Sequence, residues 1–134
     1  MAEKISVLII DDDADLRDLI EQGLQMAGFA VYQAGDGPTG IETAKERAPT
    51  LILLDVTMEG MNGLETLSKL KSIDQTREIP VFMLTGKSGT DDIKRALAAG
   101  AAGYLTKPVE IMKLGPMLRE KLSKCEKRPV RGRC

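Results

Sequence analysis

Five short apolar runs rich in Val, Ile and Leu, separated by amphipathic segments, leave few folds open to this chain. The runs are Ile5–Ile10, Phe29–Gln33, Leu51–Leu54, Val81–Leu84 and Gly103–Leu105, each of strand length. Between them, helical periodicity appears near Ala14–Ala27, Thr39–Glu46, Gly63–Ser72 and Asp91–Ala99, and a last helical segment ends near Lys124. Gly28, Gly100 and the Ala48-Pro49 pair stand where these helices should stop. Strands joined by crossover helices must run parallel, and a parallel sheet is covered on both faces, which accounts for runs that are nearly all apolar instead of alternating. The expectation is a three-layer α/β domain. In such sheets ligands bind beyond the carboxyl ends of the strands, where the strand order reverses, so the residues just after each strand bear most on function.

Composition narrows the chemistry. A chain of 134 residues, 43% of them apolar, suits one domain that buries roughly two-thirds of its unfolded surface. No apolar run reaches the ~18 residues needed to span a bilayer, and Met1–Lys4 leads into the first strand without a signal-peptide pattern. A cytoplasmic protein with no membrane partner is expected. Histidine is absent, which excludes a His general base, a His-ligated zinc and a phosphohistidine on this chain; a partner would have to supply any phosphohistidine.

Net charge is −1 but unevenly divided: residues 1–118 carry 12 basic and 18 acidic groups, whereas residues 119–134 carry 7 and 2. One domain over residues 1–124 is expected, followed by a basic, mobile tail or linker start over residues 125–134. The tail lacks interleaved aromatics and any helix-turn-helix, so it reads as a solvated terminus and not as a DNA-binding domain. Cys125 and Cys134 lie outside the periodic segments and read as reduced surface thiols. Gly115-Pro116 interrupts the last helical pattern, so regular helix is expected only from about Pro116. Met26, Met83, Met112 and Met117 read as core filler.

Four sets of polar residues share one edge of the expected sheet. The first strand ends in Asp11-Asp12-Asp13, the third in Asp55 and the fourth in Thr85-Gly86, and Lys107-Pro108 follows the fifth within two residues. Taken alone, Asp13 could be no more than a helix N-cap, and one acidic residue after a strand is often a turn former. Together, Asp11, Asp12 and Asp55 would repel one another in a partly buried crevice unless a cation neutralised them. Oxygen ligands select a hard cation, and a loose set with room for water and phosphate suits Mg2+. A lysine and a hydroxyl beside such an ion can hold phosphate oxygens.

The stretches Val7–Ile20 (VLIIDDDADLRDLI), Leu51–Glu65 (LILLDVTMEGMNGLE), Val81–Gly86 (VFMLTG) and Ala101–Val109 (AAGYLTKPV) resemble the receiver domains of bacterial response regulators. The overall plan is similar to that of CheY-like single-domain chemotaxis regulators, and the likeness runs to about Lys124. It implies a flavodoxin-like (βα)5 doubly wound sheet of order 2-1-3-4-5. It further implies that Asp55 is the phosphoacceptor, that Asp11, Asp12 and Asp55 hold Mg2+ together with the Thr57 backbone carbonyl, and that Asp12 is favoured over Asp11 as the direct contact. Lys107 should pair with phosphoryl oxygens, through a cis bond to Pro108, and Thr85 should donate its hydroxyl to them. Tyr104 matches the aromatic that turns inward as that hydroxyl moves, with a static half-buried ring as the alternative.

The implied partners are a sensor histidine kinase or histidine phosphotransfer protein and an unidentified downstream protein, read out on the fourth helix, fifth strand and fifth helix. The chain should catalyse only its own phosphorylation and dephosphorylation, as a monomer or one that dimerises on phosphorylation. Two departures stand out. Glu59 occupies a position where the family usually has proline and should alter Mg2+ affinity, and Lys87 with Thr57 should tune phosphoryl lifetime. Rival readings remain: an aspartate-nucleophile hydrolase, whose first motif Asp11-x-Asp13 resembles; a flavin binder, opposed by the triply acidic first loop; and a receiver cut from a longer regulator.

Overall fold

All five apolar runs form strands, and each is followed by a helix. The computed structural model describes residues 4–56, 62–86 and 90–126. In chain order the elements are β1 (Ser6–Ile10), α1 (Ala14–Met26), β2 (Ala30–Ala34), α2 (Gly37–Arg47), β3 (Leu51–Asp55), α3 (Gly63–Ser72), β4 (Val81–Thr85), α4 (Thr90–Ala98), β5 (Gly103–Thr106) and α5 (Ile111–Glu126). The strands pair in parallel in the order β2-β1-β3-β4-β5. The order reverses between β1 and β3, which opens a crevice at their carboxyl ends.

Two-residue strand periodicity divides the core into two layers. Val7, Ile9, Leu51, Leu53, Phe82, Leu84 and Leu105 face Ile20 and Leu24 of α1 and Leu114, Leu118 and Leu122 of α5. Leu8, Ile10, Ile52, Leu54, Val81 and Met83 face Ile41 of α2, Leu67 and Leu70 of α3 and Ala96 of α4. The three central strands are buried almost throughout, whereas edge strands β2 and β5 are partly open. Each fully buried aliphatic side chain contributes about 1.5–3 kcal/mol.

Helix ends follow local chemistry. Asp13, Asp36 and Asn62 cap α1, α2 and α3 through their side chains, and Asn62 with Glu65 forms a reciprocal capping box. Gly28 and Gly100 adopt φ of 93° and 108°, conformations that only glycine reaches without strain, at the helix stops expected from sequence. The third stop, Ala48, also lies in the left-handed region at φ 45°.

Three expectations are corrected. Helix α5 is continuous from Ile111, with Pro116 inside it and exposed. The proline leaves only one carbonyl without its helical donor, on a face open to water, while Leu114 and Leu118 flanking it anchor the helix in the core. The helix also extends past Lys124 to Glu126 and takes in Cys125; residues 127–134 lie outside the described residues. Of the four methionines, only Met83 is core: Met26 and Met112 are each 75% exposed and Met117 is 38% exposed, because their helices turn other residues inward.

Candidate functional site

Three of the polar residues at the strand ends share the sheet face covered by α1 and α5. Asp11 lies two residues past Ile9, Asp55 two past Leu53 and Lys107 two past Leu105, so strand periodicity carries all three to the same side. The ladder extends far enough to enforce this. Asp11 N–H donates to the Ala34 carbonyl at 3.1 Å, and Lys107 N–H donates to the Thr85 carbonyl at 2.8 Å. The Lys107-Pro108 bond is cis, as expected.

Asp11, Asp12 and Asp55 each offer a carboxylate oxygen, and these three oxygens lie within 4.8 Å of one another. Asp11 and Asp55 are buried and Asp12 is exposed. At an effective dielectric constant of about 20, each pair of charged carboxylates at this spacing repels by about 3 kcal/mol. Lys107 offsets part of that: its Nζ lies 3.2 Å from Asp11 Oδ2 and 3.2 Å from Asp55 Oδ1. The approach to Asp55 has hydrogen-bond geometry. The approach to Asp11 does not, and Asp11 Oδ2 stays buried without a hydrogen bond. Burial pushes the Lys107 ammonium toward deprotonation, but the charges of Asp11 and Asp55 and their contacts outweigh it and hold the lysine above its ordinary range.

Among the described residues, Lys107 contacts two of the three carboxylates, Asp11 and Asp55. The donor set is oxygen only, one buried oxygen lacks a hydrogen bond, and the carboxylates converge, all of which fit a hard divalent cation. Asp13 belongs to the frame instead: its side chain accepts from Leu16 N–H at 3.1 Å to cap α1, and its own N–H donates to Asp11 Oδ1 at 2.9 Å.

Thr85 ends β4 and is 2% exposed, but it faces the opposite core layer with Met83, and its hydroxyl donates to the Gly86 carbonyl at 3.2 Å. Tyr104 of edge strand β5 is 43% exposed and borders a groove of about 450 Å3 with Leu105, Pro108, Val109, Met117 and Lys121. Thr57, Glu59 and Lys87 lie outside the described residues.

Sequence reasoning missed Arg17, whose Nη1 donates to the Asp11 carbonyl at 2.6 Å. It also missed Gly63, whose N–H donates to the Val56 carbonyl at 2.9 Å and seats α3 against the end of β3. An arginine in the first turns of a helix and a glycine at a helix start are both too common to be read as site signals.

The family model for the response regulator receiver domain matches residues 7–119. The chain is 37% identical over 108 residues to the transcriptional regulatory protein PrrA of Mycobacterium tuberculosis, covering 81% of this chain and 46% of that protein. It is 40% identical over 114 residues to the response regulator PleD of Caulobacter vibrioides, covering 84% and 25%. The chain therefore spans about half or less of the length of these relatives. Among solved structures, the chemotaxis protein CheY4 of Vibrio cholerae superposes with a TM-score of 0.82 at 30% identity, covering 88% of this chain and 98% of that one. A CheY-like receiver domain protein of Methanospirillum hungatei gives 0.84 at 30% identity, covering 93% and 98%. A match across most of the chain and a shared strand order lead to one conclusion: the protein belongs to the response regulator receiver domain family of two-component signalling.

Proposed function

We propose that the chain accepts a phosphoryl group from a phosphohistidine donor onto Asp55, at a site that holds Mg2+ through Asp11, Asp12 and Asp55. The observation that carries this reading is the convergence of three carboxylates and one lysine at the strand-order reversal, with a buried Asp11 oxygen left unbonded. When bound, the divalent ion would neutralise the carboxylates and supply positive charge for phosphoryl oxygens.

The chain's own residues have defined parts. An Asp55 carboxylate oxygen attacks phosphorus in line, the bond from phosphorus to the donor imidazole breaks, and an acyl phosphate forms on Asp55. Lys107, already 3.2 Å from Asp55 Oδ1, keeps its proton and pairs with a phosphoryl oxygen. The Thr85 hydroxyl leaves the Gly86 carbonyl for a phosphoryl oxygen, so the state in which it has swung is stabilised by contacts absent before phosphorylation. Tyr104, on the strand paired with β4, follows inward and alters the surface of α4, β5 and α5. A coupling of about 1–3 kcal/mol would change partner affinity roughly 5- to 150-fold. The donor is a sensor histidine kinase or a histidine phosphotransfer protein, and the reader is a downstream protein that binds this surface. The chain acts as a cytoplasmic phospho-switch that catalyses only its own modification; no helix among the described residues is long and apolar enough to cross a membrane.

The test is labelling with acetyl phosphate and Mg2+, followed by peptide mass spectrometry. Phosphate should appear on the peptide bearing Asp55 and be lost in Asp55→Asn. Label on Asp11 instead would overturn the assignment in favour of hydrolase-like chemistry.

A further inference from the structure

Arg17 of α1 turns its guanidinium back toward the strand ends. Nη1 donates to the Asp11 carbonyl at 2.6 Å, and Nε donates to Gln33 Oε1 at 2.9 Å. The Gln33 amide is gripped in turn, its Nε2 donating to Asp18 Oδ1 at 3.1 Å and Glu21 Oε1 at 2.6 Å. A rigid planar fork of donors can make both Arg17 bonds in one pose, whereas a lysine ammonium cannot span the same two acceptors as well. One chain of hydrogen bonds thus ties α1, the end of β1 and β2 together at Asp11. That residue is held from both sides, since its Oδ1 also accepts from Asp13 N–H, while Oδ2 remains buried and without a hydrogen bond.

We propose that Arg17 is a positioning residue for the acidic cluster: acting through the Asp11 main chain, it holds the Asp11 carboxylate in place for a divalent cation, and Gln33 orients Arg17. The inference rests on the reading of this cluster as the Mg2+ site. A positive charge beside three carboxylates would, acting through space alone, weaken cation binding. Positioning strengthens it. The two effects have opposite signs, so removing the guanidinium separates them.

The experiment titrates the whole chain with MgCl2 alone by calorimetry, comparing wild type with Arg17→Met, Arg17→Lys and Gln33→Met. Hydrogen exchange of the Asp13 amide is followed in parallel. Arg17→Met should bind Mg2+ about 10-fold more weakly, the size usual for an outer-sphere partner. Arg17→Lys should recover only part of the loss, Gln33→Met should shift the same way by less, and the Asp13 amide should exchange faster in Arg17→Met. Unchanged or tighter Mg2+ binding by Arg17→Met overturns the proposal. Should that variant not fold, Gln33→Met decides, and unchanged binding there overturns it equally. If wild type itself binds no Mg2+, the metal-site reading fails and takes the inference with it; wild-type binding with unaffected variants removes the inference alone.

Discussion

Gly63→Ala adds one methyl group where α3 meets the strand that ends in Asp55. A Cβ at position 63 would lie 2.1 Å from the Asp55 carbonyl oxygen, 2.7 Å from Val56 Cα and 2.8 Å from the Val56 carbonyl oxygen. All three are main-chain atoms, so no rotamer change relieves the overlap. An ordinary carbon–oxygen contact is about 3.3 Å, so α3 must withdraw by about 1 Å. That movement breaks the 2.9 Å bond from Gly63 N–H to the Val56 carbonyl. Overpacking costs about 1–3 kcal/mol and the lost hydrogen bond about 1 kcal/mol more, giving about 2–4 kcal/mol in all. With a urea m-value of about 2 kcal/mol/M, the unfolding midpoint should fall by about 1–2 M. Gly86→Ala is the control. Its Cβ would meet nothing within 4 Å, and its stability should stay within about 0.5 kcal/mol of wild type. Urea titration followed by far-ultraviolet circular dichroism measures both. Equal midpoints for the two variants would refute the steric reasoning.

Three further perturbations follow from the same geometry. Ala48→Gly should raise stability by up to about 1 kcal/mol, because a left-handed alanine at φ 45° is strained by more than the extra chain entropy of glycine; a lower thermal midpoint would count against it. Asp36→Ala should melt about 2–5 °C below wild type at pH 7, having lost the cap of α2. Hydrogen bonds from Thr39, its backbone first and then its side chain, hold the Asp36 carboxyl below its ordinary range. Its contribution is therefore present at neutral pH and lost as pH falls through the lowered folded value, so the gap between the two proteins should close below about pH 4. Lys107→Met should destabilise the metal-free protein, since Asp11 and Asp55 lose their counter-charge, and added Mg2+ should narrow the gap. Because the folded lysine is held above its ordinary range, its contribution is complete below about pH 10 and disappears only as pH rises through that raised value; a loss already under way at pH 8 would contradict the pairing.

The strands and the site acids were legible because both depend on local pattern. A buried parallel strand must be apolar on both faces, and a residue at its carboxyl end is placed by the strand itself, so Asp11, Asp55, Thr85 and Lys107 could be assigned to one edge without coordinates. The caps at Asp13 and the stops at Gly28 and Gly100 are equally local. Pro116 misled, because the anchoring of Leu114 and Leu118 in the core outweighs one lost hydrogen bond on an open face. The methionines misled for a related reason: apolar character does not say which side of a helix meets the sheet, and Met26 and Met112 fall on the wet side.

What the sequence determined by itself is the set of elements, their parallel arrangement and the chemistry available at one edge, all consequences of side-chain periodicity over a few residues. Tertiary structure alone decided how those groups meet. Lys107, distant in sequence from both acids, lies 3.2 Å from each because strand phase turns all three to one face, whereas Thr85, in the opposite phase, bonds to Gly86 instead. The Arg17–Gln33 strut and the seat at Gly63 likewise depend on packing between elements far apart in the chain, and such contacts leave no periodic trace along it.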